Sequence, residues 1–232
     1  MAHDRVMLIT GASTGIGAAT ARAASKDGYR LVLAARSTDL IDALATELGG
    51  PERAIAVTTD VTEWEQQEQL AAAAISAYGQ IDSVFANAGF GGPGGFTGSD
   101  PEAWKSMVLT NVYGAALTVR ATLDELKKSK GHLLLTGSVA GRRAIPGSLY
   151  SCTKWAVTAM GEAVRGELAG SGVRVTLIEP GIVATPFWDD GKGPIEKPLE
   201  EDDIAGAVMW ALGQPPHVDV NEILIRPAGQ AA

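Results

Sequence analysis

The chain has 232 residues, 46% hydrophobic with 28 glycines, enough for one substantial core of buried strands joined by tight turns and unlike a disordered or fibrous chain. Lys plus Arg number 19 against 27 Asp plus Glu, a net charge of -8 that argues against a general nucleic-acid or anionic-membrane surface. A single cysteine excludes an intramolecular disulfide, no apolar run approaches membrane-spanning length and no signal-peptide pattern opens the chain, so a soluble cytoplasmic protein is expected.

Residues 5–10 read as a short buried strand that passes without a loop into Gly11-Ala12-Ser13-Thr14-Gly15-Ile16-Gly17. An alanine-rich helix follows and ends near Asp27-Gly28. Strand, glycine-rich turn and helix in that order bring backbone amides to a helix N-terminus, where a pyrophosphate is favoured. The spacing is G-x-x-x-G-x-G, which is neither G-x-G-x-x-G nor a P-loop, and no lysine follows to reach a terminal phosphate. A merely tight structural turn is the competing account.

The second strand spans 30–35 and ends at Arg36-Ser37. In a dinucleotide fold this end meets the adenosine ribose, where an acid holds a free 2′-hydroxyl and an arginine favours a 2′-phosphate. Arg36 therefore points to NADP(H), its guanidinium fork matching phosphate, with Ser37 as a further donor. NAD(H) stays open, with Arg36 as a solvated charge or stacked on adenine the competing account.

An amphipathic helix over 39–48 leads to a third strand at 54–59. Asp60-Val61 ends it and offers a carboxylate to an adenine amino group, or else a cap to the helix of 63–78. A fourth strand, 81–86, runs into Asn87-Ala88-Gly89, where the Asn87 amide can fasten neighbouring strand ends. The glycine-rich loop 90–96 would border a substrate pocket. A long helix over 101–126 is expected to bend near Asn111, whose amide can bond a carbonyl or hold a water.

A fifth strand, 132–136, delivers Ser138 to the mouth of a cleft, and Arg142 and Arg143 read as solvated loop charges. The helix of 148–169 carries Tyr150 and Lys154 about one turn apart on one face, so an ammonium lies under a phenol and lowers its pKa from ~10. Such pairs also occur on many surface helices. Cys152 faces away from both and reads as a buried structural thiol. The sixth strand, 174–179, stops at Pro180-Gly181, after which residues 182–185, including Val183 and Thr185, offer contacts to a bound amide. Residues 187–193 mix aromatics with glycines and suit a short substrate lid within 186–200. A helix at 201–212 and a seventh strand at 220–227 complete the chain.

With these residues in view, the chain resembles the short-chain dehydrogenase/reductase family over essentially its whole length. Residues Thr10 to Gly17 resemble its cofactor turn; Asp60 and Asn87-Ala88-Gly89 fall at its adenine and strand-stabilising positions. Asn111, Ser138, Tyr150 and Lys154 match its catalytic tetrad, and Pro180-Gly181 with Thr185 matches the segment that holds the nicotinamide amide. Ala86 stands where many members have a second asparagine. Ser13 stands where some NADP-preferring members carry another basic residue, which leaves the phosphate grip mostly to Arg36.

The resemblance implies an α/β fold, a single Rossmann-like domain over 1–232 whose doubly wound parallel sheet of about seven strands has helices on both faces. It implies hydride transfer between NADP(H), with NAD(H) possible, and a small-molecule carbonyl or secondary alcohol. Tyr150 would be general acid/base and Ser138 would polarise the carbonyl; Lys154 would lower the tyrosine pKa and hold the nicotinamide ribose. Asn111 would position a water leading from Lys154 to solvent. Phe90, Phe96, Phe187 and Trp188 suggest an apolar portion on the substrate. A homodimer or homotetramer through the helices of Asn111 and Tyr150 is expected, with no nucleic-acid, membrane or metal partner. The rival readings are an NAD-dependent alcohol dehydrogenase and a non-catalytic nucleotide-binding regulator or scaffold.

Overall fold

Seven strands pair in parallel in one sheet: β1 Val6–Thr10, β2 Arg30–Ala35, β3 Ala54–Thr58, β4 Ser83–Ala86, β5 His132–Thr136, β6 Arg174–Pro180 and β7 Glu222–Ile225. They come from a computed structural model that describes residues 5–92, 94–188 and 193–230. The order β3-β2-β1-β4-β5-β6-β7 means that the chain winds outward from β1 and then crosses back to start β4 beside it. Loops leaving the carboxyl ends of β1 and β4 therefore diverge and open a crevice between them.

The helices are α1 Gly15–Lys26, α2 Thr38–Glu47, α3 Trp64–Tyr78, α4 Pro101–Val108, α5 Ala115–Ser129, α6 Leu149–Glu167 and α7 Glu201–Leu212. Side chains alternate across each strand, so the sheet divides the core in two. Met7, Ile9, Leu31, Leu33 and Phe85 face one layer with α1, α2 and α7. Val6, Leu8, Val32, Val84 and Leu177 face the other with α3, α5 and α6. The helix α6 sits unusually close: a Cβ on Gly161 would lie 2.9 Å from Leu177 Cγ.

The bend expected near Asn111 is a π-helical turn, Leu109–Gly114, between α4 and α5. Two packing constraints accompany it. A Cβ on Gly114 would meet Val61 Cγ2 at 2.6 Å, and the Asn111 side chain is tied to the loop after β4. A widened turn lets both contacts form on one helix face. Among the described residues, no helix is long and apolar enough to cross a membrane.

Cys152 departs from expectation. It is exposed, because α6 buries Ser151, Thr153, Lys154 and Val157 and turns the position between them outward.

Candidate active site

A cavity of about 1010 Å³ opens at the carboxyl ends of the strands. Of the residues singled out in the sequence, it gathers Gly11, Ser13, Thr14, Gly15, Ile16, Arg36, Ser37, Asp60, Val61, Asn87, Ala88, Gly89, Ser138, Tyr150, Lys154, Pro180, Gly181, Val183 and Thr185. Gly17 and Asn111 stand behind its wall. Phe96 is absent from the lining and packs edge-on against Trp104, with ring centroids 5.4 Å apart. Residues 189–192 of the expected lid, and Pro93 of the loop after β4, lie outside the described residues.

The glycine turn is shaped by what it must avoid. Gly11 and Gly15 have φ of +67° and +60°, left-handed values that glycine adopts without strain. A Cβ on Gly17 would lie 2.2 Å from Gly11 O, so Gly17 serves closure of the turn rather than contact with the cavity. Thr14 caps α1 without a side-chain hydrogen bond, and no acid occupies the first helical turn. Backbone N–H groups at that end are therefore left for an anion, and a dinucleotide pyrophosphate fits there. At the far rim Arg36 is exposed, and its side chain makes no hydrogen bond or ion pair to another described residue.

Asp60 serves its own turn: one carboxylate oxygen accepts from Thr62 N at 3.0 Å and Thr62 Oγ1 at 2.8 Å. Its other oxygen makes no hydrogen bond to another described residue. Asn87 acts as a strand fastener, donating through Nδ2 to Thr10 O at 3.1 Å and accepting from Thr136 Oγ1 at 3.0 Å. It locks the ends of β1, β4 and β5 around the crevice.

Ser138 follows β5 and caps a 3-10 turn, Val139–Gly141, accepting from Ala140 N at 3.1 Å. The turn packs so tightly on α6 that a Cβ on Gly141 would lie 2.7 Å from Lys154 O. This holds the Ser138 side chain beside Tyr150 on the cavity wall, where its hydroxyl donates to Pro180 O at 3.4 Å. Lys154, 4% exposed, donates from Nζ to Thr136 O at 2.7 Å and lies 5.6 Å from the centre of the Tyr150 ring.

The titration of the pair differs from the sequence expectation. Burial pushes Tyr150 up to about 12, with the Ser138 hydrogen bond pulling weakly the other way. Burial also pulls Lys154 down to about 8. Desolvation is the first cause for both groups and sets the sign of each shift, although Tyr150 is only partly buried at the cavity wall.

Asn111 is clamped rather than free. Its Nδ2 donates to Phe90 O at 2.9 Å and Thr153 Oγ1 at 3.1 Å, and its Oδ1 accepts from Phe90 N at 3.0 Å. A Cβ on Gly89 would lie 3.0 Å from Asn111 Oδ1 and 3.7 Å from Lys154 Nζ, so the two side chains border one small space.

Three features escaped the sequence. Arg142, expected in solvent, donates from Nε to Glu179 Oε1 at 2.7 Å and also pairs with Glu222. Glu179 is 1% exposed and burial raises its pKa, against the pull of Arg142. A charge in the apolar run of β6 was the available clue, because a buried carboxylate demands a partner. Secondly, Leu199 N donates to Ile182 O at 2.9 Å and Ala184 N to Leu199 O at 2.8 Å, so both ends of the lid segment spring from one fastened base. Phe187 stands edge-on to Tyr150 at 5.5 Å, and a Cβ on Gly91 would meet its Cζ at 2.5 Å. Thirdly, Gln230 joins the lining from beyond β7, with no signal in the sequence.

A family model described as short chain dehydrogenase matches residues 5–192. The chain is 37% identical over 229 residues to an uncharacterized oxidoreductase of Staphylococcus saprophyticus, covering 97% of this chain and 98% of that one. Among solved structures it is similar to an alcohol dehydrogenase of the archaeon Thermococcus sibiricus complexed with 5-hydroxy-NADP, with 35% identity, a TM-score of 0.89 and 98% of each chain covered. It is also similar to a serine dehydrogenase complexed with NADP+, with 29% identity, a TM-score of 0.91 and coverage of 98% and 96%.

Proposed function

The chain belongs to the short-chain dehydrogenase family, and from that premise we propose that it is an NADP(H)-dependent oxidoreductase acting on a carbonyl or secondary alcohol. The observation that carries this reading is the meeting of Ser138, Tyr150 and Lys154 in the lining of one cavity with the glycine turn. When bound, the nicotinamide gives or takes the hydride.

The chain's own groups do the rest. The α1 N-terminus holds the pyrophosphate, Asp60 and Val61 border the adenine, and Arg36 with Ser37 grips a 2′-phosphate. Ser138 Oγ and Tyr150 Oη donate hydrogen bonds to the carbonyl oxygen and stabilise charge as it develops there. Tyr150, protonated at neutral pH, then passes its proton to that oxygen, and the reverse reaction returns it. Lys154 lies near enough to favour the phenolate while the proton is away, and near enough to the cavity to bond a ribose hydroxyl. Asn111 fixes the Phe90 loop beside Lys154 and borders a space suited to a water.

Phe90, Phe187 and Trp188 give the substrate end an aromatic wall, which favours a substrate with an apolar portion. Val108, Leu109, Tyr113 and Trp155 are exposed apolar residues on the end of α4, the π-helical turn and α6, and support a homodimer or homotetramer. The test is the initial rate of NADPH and of NADH oxidation over a broad carbonyl panel, with Tyr150→Phe as blank. Turnover that prefers NADPH and vanishes in the blank is expected. No activity with any carbonyl would leave two explanations, a substrate outside the panel or a binding protein without turnover.

A further inference from the structure

After β7 the backbone turns at Pro227, whose carbonyl accepts from Gln230 N at 2.9 Å, and the Gln230 side chain folds back over the corner that ends β6. Gln230 Oε1 accepts from Ile182 N at 2.9 Å. A Cβ on Gly181 would fall 2.2 Å from the same oxygen, so glycine at that corner makes room for this contact. Because a backbone N–H only donates, its partner has to be the amide oxygen, and this fixes which way the side-chain amide is turned.

The neighbouring backbone is already committed. Gly181 N donates to Ile225 O at 2.7 Å, Ile182 O accepts from Leu199 N, and Val183 O accepts from Trp188 Nε1 at 3.0 Å. On this part of the cavity wall, the Gln230 NH2 makes no hydrogen bond to another described residue. A paired oxygen and an unpaired NH2 on one carboxamide make a clamp with a donor on its outer side.

We propose that Gln230 is a further binding residue of this site, whose Nε2 donates to an oxygen acceptor at the nicotinamide end of the cavity while Oε1 holds Ile182 in place. The acceptor is a neutral carbonyl-type oxygen, supplied either by the cofactor's carboxamide or by an oxygen substituent next to the reacting carbon of the substrate. This inference rests on the dinucleotide reading above and adds a group to it.

The experiment compares wild type, Gln230→Glu and Gln230→Ala. The glutamate variant keeps an oxygen for Ile182 N–H, and so keeps the thermal midpoint, but has no donor. Calorimetry with NADP+, NAD+ and adenosine 2′,5′-bisphosphate separates contacts at the nicotinamide end from those at the adenine end. If the carboxamide is the acceptor, Gln230→Glu weakens the dinucleotide about 10-fold and leaves the bisphosphate unchanged. If the substrate is the acceptor, dinucleotide affinity holds and KM rises about 10-fold for carbonyls bearing an adjacent oxygen, with simple ketones unaffected. A Gln230→Glu protein equal to wild type in both measurements overturns the proposal, as does a loss found only in Gln230→Ala together with a lowered midpoint. Wild type that binds neither dinucleotide removes the cofactor reading itself, and this inference with it.

Discussion

Replacing Gly17 with alanine puts a methyl group where the glycine turn has no space. The Cβ would fall 2.2 Å from Gly11 O, 2.9 Å from Gly11 C and 2.9 Å from Asn87 Nδ2, while ordinary contact begins near 3.4 Å. The nearest atoms are backbone, and Asn87 is held by Thr10 and Thr136, so none is a free end that can swing aside. Either the Gly11 carbonyl or the start of α1 has to move by roughly 1 Å, and overpacking of this kind costs about 1–3 kcal/mol. The displaced atoms include the amides at the α1 N-terminus. We therefore expect about 2 kcal/mol less dinucleotide binding, roughly a 30-fold weaker Kd, with a comparable loss of stability. Calorimetry and urea unfolding measure the two. Gly206→Ala is the control: no atom lies within 4 Å of its Cβ inside α7, and it should stabilise the fold by ~0.5–1 kcal/mol. A Gly17→Ala protein that binds NADP+ as tightly as wild type would refute the account of the turn.

Lys154→Met should lose turnover yet unfold less readily than wild type at pH 7 without cofactor. Burial lowers the lysine from 10.5 to about 8, so the cost of the buried ammonium is full below pH 8 and is relieved as pH rises toward 10.5. The difference should approach about 3 kcal/mol at pH 7, less what the Thr136 carbonyl loses, and shrink by pH 10.5; a pH-independent difference contradicts it. His132 is buried neutral, with its pKa pushed from 6.5 to about 3, and Nε2 lies 2.7 Å from Thr176 Oγ1. Because the unfolded chain takes up that proton first, stability should fall by on the order of 4 kcal/mol between pH 6.5 and pH 3, and urea midpoints for His132→Leu should be flatter across that range. Arg36→Ala should weaken NADPH by about 10–100-fold and NADH by much less, since a charge-assisted pair with phosphate is lost; equal losses in a fluorescence titration count against a 2′-phosphate contact. Phe187→Ala removes the ring that spans Tyr150 and Gly91. The kcat/KM of bulky over small ketones should rise about 10-fold, and an unchanged ratio would mean that Phe187 does not limit the substrate.

The features legible in the sequence are those whose cause lies within a few residues. Continuous apolar runs such as Val6 to Ile9 specify buried strands, glycines at 11 and 15 mark left-handed turns, and Tyr150 and Lys154 share a face because a helix repeats every 3.6 residues. Even the disturbed helix at Asn111 could be anticipated from an amide in an apolar run. The rest depended on partners far away in the chain. Arg142 reads as a surface charge until β6 sets Glu179, 37 residues on, beside it; Gln230 reads as tail until it reaches Ile182 across 48 residues. Cys152 was placed outside by which face of α6 the fold covers, and Phe96 was drawn from the pocket by Trp104 on α4. The same holds for the titration of Tyr150 and Lys154. Spacing puts a cation near a phenol, but the sign of each shift depends on how much water the assembled pocket excludes, and only the tertiary structure decides that.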